Sequence, residues 1–193
     1  ERDDGMIEYL KRKSDAYLAE WKANDERKPL IIKGARQVGK TKSIETFAQN
    51  NYESIVEINF VSDPVYKQIV ENGYSAEAVI KNISRINPEA RFIKGKTLIF
   101  FDEIQEFPDI VTSLKFFSLD GNYDVICSGS LLGVHYKEIS NISVGYKTDI
   151  EMRSLDFEEF LWALGYDNSV KNDILEHMLS FTPFTPSVLK IYN

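Results

Sequence analysis

From Gly34 to Thr41 the sequence reads Gly-Ala-Arg-Gln-Val-Gly-Lys-Thr, a full GxxxxGK[ST] pattern. Each position has a use around an anion. Glycine lets a loop turn closely about phosphate oxygens, and peptide N–H groups together with a helix N-terminus offer positive ends to them. Lys40 can reach β- and γ-phosphates, and the Thr41 hydroxyl can coordinate Mg²⁺. The candidate nucleotide-binding residues are therefore Gly34, Ala35, Arg36, Gln37, Val38, Gly39, Lys40, Thr41 and Lys42. The bland alternative is a glycine-rich turn with Lys40 on a solvated helix surface.

A second constellation follows downstream. Leu98, Ile99, Phe100 and Phe101 form an apolar run that ends in the adjacent carboxylates Asp102 and Glu103. A strand of that kind delivers both acids at its exposed end. Asp102 is suited to orient Mg²⁺ through water, and Glu103 to polarise the water that attacks a γ-phosphate. An acidic turn after a core strand would look the same in isolation. Ser128 and Ser130 follow another apolar run, where a hydroxyl can sense the γ-phosphate or hold the attacking water; capping the turn is equally open. The site expectation is thus Glu103 and Lys40 as catalytic groups, Thr41 and Asp102 as metal ligands and Ser128 beside the nucleotide, with ATP and Mg²⁺ bound.

Other residues carry weaker signals. Arg36 has a phosphate, a neighbouring domain and solvent as equal alternatives. Asn59 reads as structural, and Gln105 as an ordinary surface hydrogen-bonding residue that could instead connect nucleotide state to a neighbouring segment. Cys127, the single cysteine, sits in an apolar run and reads as buried. His135 and His177 are too far apart in sequence to suggest a zinc site. Tyr17 and Trp21 form a core-facing stripe, with contact to a nucleotide base as the alternative.

These residues need elements to position them. Pro29–Ile32 reads as a short buried strand ahead of the glycine loop, and Lys40–Gln49 as the helix after it. Further strands are expected at Ile55–Phe60, Thr97–Phe101, Tyr123–Cys127 and Lys147–Met152. Helices are expected at 6–23, 65–70, 76–86, 109–118, 157–163 and 171–180. Strand and helix alternate, so the expected fold is α/β, with a mostly parallel sheet covered by helices on both faces.

The 193 residues suit one well-filled core, since domains average ~150 residues. Acidic residues outnumber basic ones, 30 to 23, for a formal charge of −7, which offers no overall footprint for a nucleic-acid backbone. No apolar run approaches the ~20 residues that cross a bilayer, and the acidic opening lacks the order of an export signal. A cytoplasmic, reducing setting without a membrane partner is expected. The opening on Glu1 rather than Met reads as a processed or partial chain.

In sequence order, GARQVGKT at 34–41, IFFDEIQ at 99–105, SGS at 128–130 and LDFEEFLWALG at 155–165 resemble the prokaryotic AAA-like P-loop ATPases whose ATPase domain precedes a domain of unknown function with a nuclease-like fold. The resemblance spans about residues 26–164. It implies a P-loop NTPase with an AAA-like five-stranded sheet, a polar sensor at 128–130 and an arginine supplied by a neighbouring module or subunit, for which Arg153 is a candidate or simply a surface residue. On this reading residues 1–165 are the ATPase domain with its N-terminal helix, and 166–193 begin a C-terminal region that is largely missing. In LDFEEFLWALG, Phe157, Phe160, Leu161 and Leu164 are expected to pack while Glu158 and Glu159 face water. The expected function is Mg²⁺-dependent ATP binding and hydrolysis coupled to that region, a protein partner or a neighbouring subunit. The alternative is a nucleotide-dependent interaction switch with little turnover. GTP is the weaker ligand because no NKxD-type segment follows the fourth strand, and nothing supports a nucleic-acid substrate.

Overall fold

A computed structural model of the chain describes residues 9–130, 139 and 141–184. His135 lies outside the described residues. The described chain forms two compact units, Tyr17–Ser154 and a smaller one built from residues 9–16 with 155–184.

The larger unit is a five-stranded sheet. Its strands are β1 (Leu30–Lys33), β2 (Ser54–Asn59), β3 (Thr97–Asp102), β4 (Asp124–Gly129) and β5 (Thr148–Glu151), in the order β2-β3-β4-β1-β5. Every pairing is parallel, so all five C-terminal ends meet at one edge of the sheet. In register, Asn59 stands opposite Asp102, and Lys33 opposite both Gly129 and Glu151. The topology thereby brings the ends of β2, β3, β4 and β1 beside the glycine loop.

The apolar strands serve two cores by alternation, as the two-residue period of a strand requires. Ile31, Ile99, Phe101, Val125 and Cys127 enter one layer, which α3 (Ala76–Ile86) and α4 (Ser113–Asp120) close with Val79, Ile83, Leu114 and Phe117. Leu30, Ile32, Leu98, Phe100 and Ile126 enter the other, where α2 (Lys40–Asn51) supplies Ile44, Phe47 and Ala48. Leu18 and Trp21 of α1 (Lys13–Ala23) join that second layer. Trp21 meets Phe47 edge-on at 6.3 Å and donates its indole N–H to the Lys28 carbonyl, and Tyr17 packs against the same cluster. Cys127 is fully buried, and burial pushes its thiol well above the ordinary range.

Four helices differ from the sequence expectation: that at 65–70 is a 3₁₀ turn, Pro64–Gln68, that at 171–180 begins at Asn168, and two others change at their starts. Helix α1 begins at Lys13, because the Asp15 carboxylate accepts the Arg12 peptide N–H and caps the first turn there. The expected helix at 109–118 is split into a 3₁₀ turn, Pro108–Thr112, and α4. Pro108 sets the tighter turn, and the Ser113 hydroxyl donates to the Ile110 carbonyl at the junction.

In the smaller unit, α5 (Phe157–Ala163) and α6 (Asn168–Ser180) pack Leu161 against Ile174. The expected faces of α5 are corrected here. Glu159 is 5% exposed, whereas Phe157, Phe160 and Leu164 are about half exposed. A capping box explains the inversion: Asp156 accepts the Glu159 peptide N–H while the Glu159 carboxylate reaches back to the Asp156 N–H. Thus held, Glu159 also takes the Arg12 guanidinium at 3.1 Å and the Lys13 peptide N–H at 2.8 Å. Glu158 pairs with Lys13 and Lys171 instead of standing free in water.

Candidate nucleotide-binding site

Residues 34–39 join β1 to α2 as an irregular loop. Gly34 is required by space. A Cβ there would lie 2.1 Å from the Met152 carbonyl oxygen just beyond β5. Gly39 is required by conformation, with φ 93°, and Gln37 also adopts the left-handed region at φ 63°. Successive peptide groups in such conformations turn their N–H bonds to one concavity. Gly39 caps α2 without any side-chain hydrogen bond, so the first-turn N–H groups keep their capacity for an anion. Val38 packs into the core, which leaves its peptide group to the loop. Ala35 and Arg36 are exposed, as is Lys42, which stands 3.8 Å from Glu45.

Lys40 is 7% exposed although it is a lysine. Its ammonium donates to the Gly34 and Ala35 carbonyls at 3.1 and 2.6 Å, folding the side chain back over the loop. Burial pulls its pKa below the ordinary lysine value, and the nearby charges of Glu103 and Asp102 oppose that shift.

Asp102, 3% exposed, is the centre of the site. One carboxylate oxygen accepts the Thr41 hydroxyl at 3.2 Å and the Asn59 amide at 3.1 Å. The other accepts the Glu103 peptide N–H at 2.9 Å and the Ser128 hydroxyl. Neutral dipoles thus solvate a buried negative charge. Because the Thr41 hydroxyl spends its proton on Asp102, its lone pairs remain for a cation. Hydroxyl and carboxylate oxygens are the hard donors that suit Mg²⁺, which retains most of its waters and takes one or two protein ligands. No cluster of three or more histidine, cysteine or acidic residues suited to a metal occurs among the described residues.

Glu103 lies just beyond β3 in the left-handed region, φ 55°, so the chain turns sharply there. It lines, with Lys40, Thr41 and Asn59, a cleft of about 620 Å³. The left-handed turn is followed by a 3₁₀ turn, Ile104–Glu106, and Gln105 then bonds back to the Glu103 carboxylate while accepting the Ser130 peptide N–H at 3.1 Å.

The structure therefore gathers Lys40, Thr41, Asp102 and Glu103 with the loop 34–39. Ser128 is fully buried and addresses Asp102 rather than the cleft. Arg153 is exposed beside Glu151 at 3.6 Å. His177 bonds to Thr182 in the smaller unit. Asn59 and Gln105 enter the network more fully than the sequence suggests. For Asn59 the available signal was its place at a strand end, parallel to Asp102. No described helix is long and apolar enough to cross a membrane.

Residues 26–161 match the family model described as AAA domain. Among solved structures, the chain is similar to PCH-2 of C. elegans, at 15% identity and a TM-score of 0.44 over 91% of this chain and 49% of that one. It is also similar to the Pif1 helicase from Candida albicans, at 12% identity and a TM-score of 0.43 over 86% of this chain and 43% of that one. The chain thus spans about half the length of the first and less of the second. No curated protein matches the sequence.

Proposed function

The chain belongs to the AAA domain family, a P-loop NTPase fold, and from that premise we propose that it binds and hydrolyses ATP with Mg²⁺. The observation that carries the reading is the 3.2 Å contact of Thr41 with Asp102 at the mouth of a loop whose lysine is already folded over it. Bound Mg²⁺ would neutralise charge on the β- and γ-phosphate oxygens. Thr41 and Asp102 would hold it, Asp102 through water.

The remaining steps belong to the chain. The peptide N–H groups of the loop and of the first turn of α2 receive phosphate oxygens. Lys40 exchanges its carbonyl partners, Gly34 and Ala35, for β- and γ-phosphate oxygens. Glu103 orients a water in line with the γ-phosphorus and takes its proton as the new P–O bond forms. The bond to the β-phosphate oxygen breaks, and ADP and inorganic phosphate result. Ser128 keeps Asp102 oriented by donating to it.

We further read residues 1–165 as the ATP-handling domain and 166–193 as part of an output region. The resemblance of LDFEEFLWALG to the stretch that leads out of the ATPase core in AAA-like ATPases supports coupling to such a region or to a protein partner.

Calorimetric titration with Mg·ATP and Mg·GTP tests binding. ATP should be preferred, and Lys40→Ala should weaken it about 100-fold, since hydrogen bonds to charged groups contribute about 1.5–3 kcal/mol each. Single-turnover hydrolysis tests chemistry: Glu103→Gln should retain affinity and lose about 10²–10⁴-fold in rate. Wild-type turnover in Glu103→Gln would remove that role. Tight binding without turnover in the unsubstituted protein would instead make the site a nucleotide switch.

A further inference from the structure

The two carboxylates of the site are joined by a second route besides the peptide bond between them. Asp102 accepts the Ser128 hydroxyl, and two residues later the Ser130 peptide N–H donates to the Gln105 side-chain oxygen. The Gln105 amide nitrogen donates to Glu103, whose own peptide N–H returns to Asp102 at 2.9 Å. A closed ring results, running Asp102, Ser128, Ser130, Gln105, Glu103 and back.

Its geometry is fixed at each point. Ile104 is fully buried and anchors the 3₁₀ turn, while Glu103 and Gln105 are half-buried, Glu103 lining the cleft and Gln105 reaching the end of β4. A side-chain amide can be flipped, but here a peptide N–H faces one end of it. Only the oxygen can accept that donor, so the NH₂ group must turn to the carboxylate. The orientation of Gln105 is therefore set by the backbone of the β4 tip, and the orientation of Glu103 by Gln105.

We propose that Gln105 is a positioning residue that ties the aim of the Glu103 carboxylate to the β4 tip and, through Ser128, to the carboxylate that addresses the metal. The inference rests on the hydrolytic reading of Glu103 for its effect on rate, though not for the coupling itself. A carboxylate at the end of a Glu side chain has three rotatable bonds. Without the amide it samples several aims, of which few place an oxygen against the attacking water. Misplacement by about 1 Å costs up to about 100-fold in rate. Affinity for Mg·ATP should be almost untouched, because Gln105 lies behind Glu103 and not along the phosphate loop.

The test uses the 193-residue chain with Gln105→Leu and the length-preserving Gln105→Met, each with and without Glu103→Gln. Thermal melts establish that the variants fold. Either Gln105 substitution alone should lower single-turnover hydrolysis about tenfold to 100-fold and leave the Mg·ATP dissociation constant within about twofold. In the Glu103→Gln background neither should lower the rate further, because a residue acting through another has no effect once that other is gone. The Ser130 peptide resonance in a ¹⁵N-labelled sample supplies a readout independent of activity. Glu103→Gln should shift it in the otherwise unsubstituted chain and leave it in place in Gln105→Leu. Wild-type rates in both Gln105 variants, an additive loss in the double variants, or an equal shift of the Ser130 resonance in both backgrounds would overturn the proposal. Binding without turnover in the unsubstituted chain removes the hydrolytic reading, and the Ser130 resonance then decides the coupling.

Discussion

A buried and a partly buried aspartate stand at opposite ends of the parallel sheet, Asp102 at the C-terminal end of β3 and Asp124 at the N-terminal end of β4. They solve the same problem in different ways. Asp124 receives Lys22 at 2.8 Å, Arg27 at 2.7 Å and the Tyr52 hydroxyl at 2.8 Å, so two full positive charges close on it. Burial alone would raise its pKa, but those donors outweigh burial and hold it below the ordinary carboxylate value. Asp102 is instead solvated by hydroxyl, amide and peptide dipoles. Such donors satisfy the carboxylate oxygens without bringing a positive charge to them. One end of the sheet therefore closes its aspartate with charge pairs, and the other surrounds it with neutral donors, among them the threonine that lines the cleft.

The difference predicts opposite behaviour for the same substitution. Asp102→Asn should lower the free energy of unfolding without nucleotide by about 1 kcal/mol, because the amide oxygen can still accept from Glu103 and Ser128 and the Thr41 hydroxyl can turn to accept, which leaves only the Asn59 amide without its acceptor. Its effect on function should be the larger of the two aspartates': a loss of about 100-fold in Mg²⁺-dependent turnover, as removal of a metal-holding charge forfeits several kcal/mol of transition-state stabilisation. Mg·ATP should raise the melting temperature of the unsubstituted protein, and that rise should vanish in Asp102→Asn. A fall in stability as large as that of Asp124→Asn would erase the distinction between the two ends.

Asp124→Asn should leave nucleotide affinity unchanged and cost about 2–4 kcal/mol in stability, since it strands two partly buried cations. Its dependence on pH has a definite sign. A carboxylate whose folded pKa is depressed stabilises the native state above its unfolded value, near 3.9, and loses that contribution as pH falls through the lower folded value. Urea denaturation of the unsubstituted protein should therefore show stability falling below about pH 4, and Asp124→Asn should flatten that limb.

The candidate site was far more legible in the sequence than the charge cluster around Asp124. Phosphate loops impose a local spacing, and the acids of β3 follow an apolar run, so Lys40, Thr41, Asp102 and Glu103 announce themselves within short windows. Strand positions were legible for the same reason, because buried parallel strands are short and apolar. Lys22, Arg27, Tyr52 and Asp124 are scattered over a hundred positions and meet only through the strand order, which no local pattern encodes. Gly34 was legible as a motif glycine, but its cause, the Met152 carbonyl beyond β5, is a tertiary fact. Glu159 was misassigned to water because its apolar neighbours suggested a buried face, whereas the Asp156-to-Glu159 spacing of a capping box was the stronger signal. Gln105 carried only one hint, its place two residues after Glu103.

Tyr52→Phe sharpens the comparison with the smallest perturbation. The ring remains, with Lys22 3.9 Å above its centroid and Phe47 edge-on at 6.0 Å, and only the hydroxyl that donates to Asp124 is removed. Because Lys22 and Arg27 continue to neutralise the carboxylate, the loss should be about 1 kcal/mol, the net contribution of one hydrogen bond. The acid limb should still begin near the unfolded value but end at a higher pH and fall by less, since one of the donors that depress the Asp124 pKa is gone. Urea denaturation at pH 7 and across the acid limb measures both. A loss as large as that of Asp124→Asn would mean that the hydroxyl, and not the two cations, keeps that charge in place.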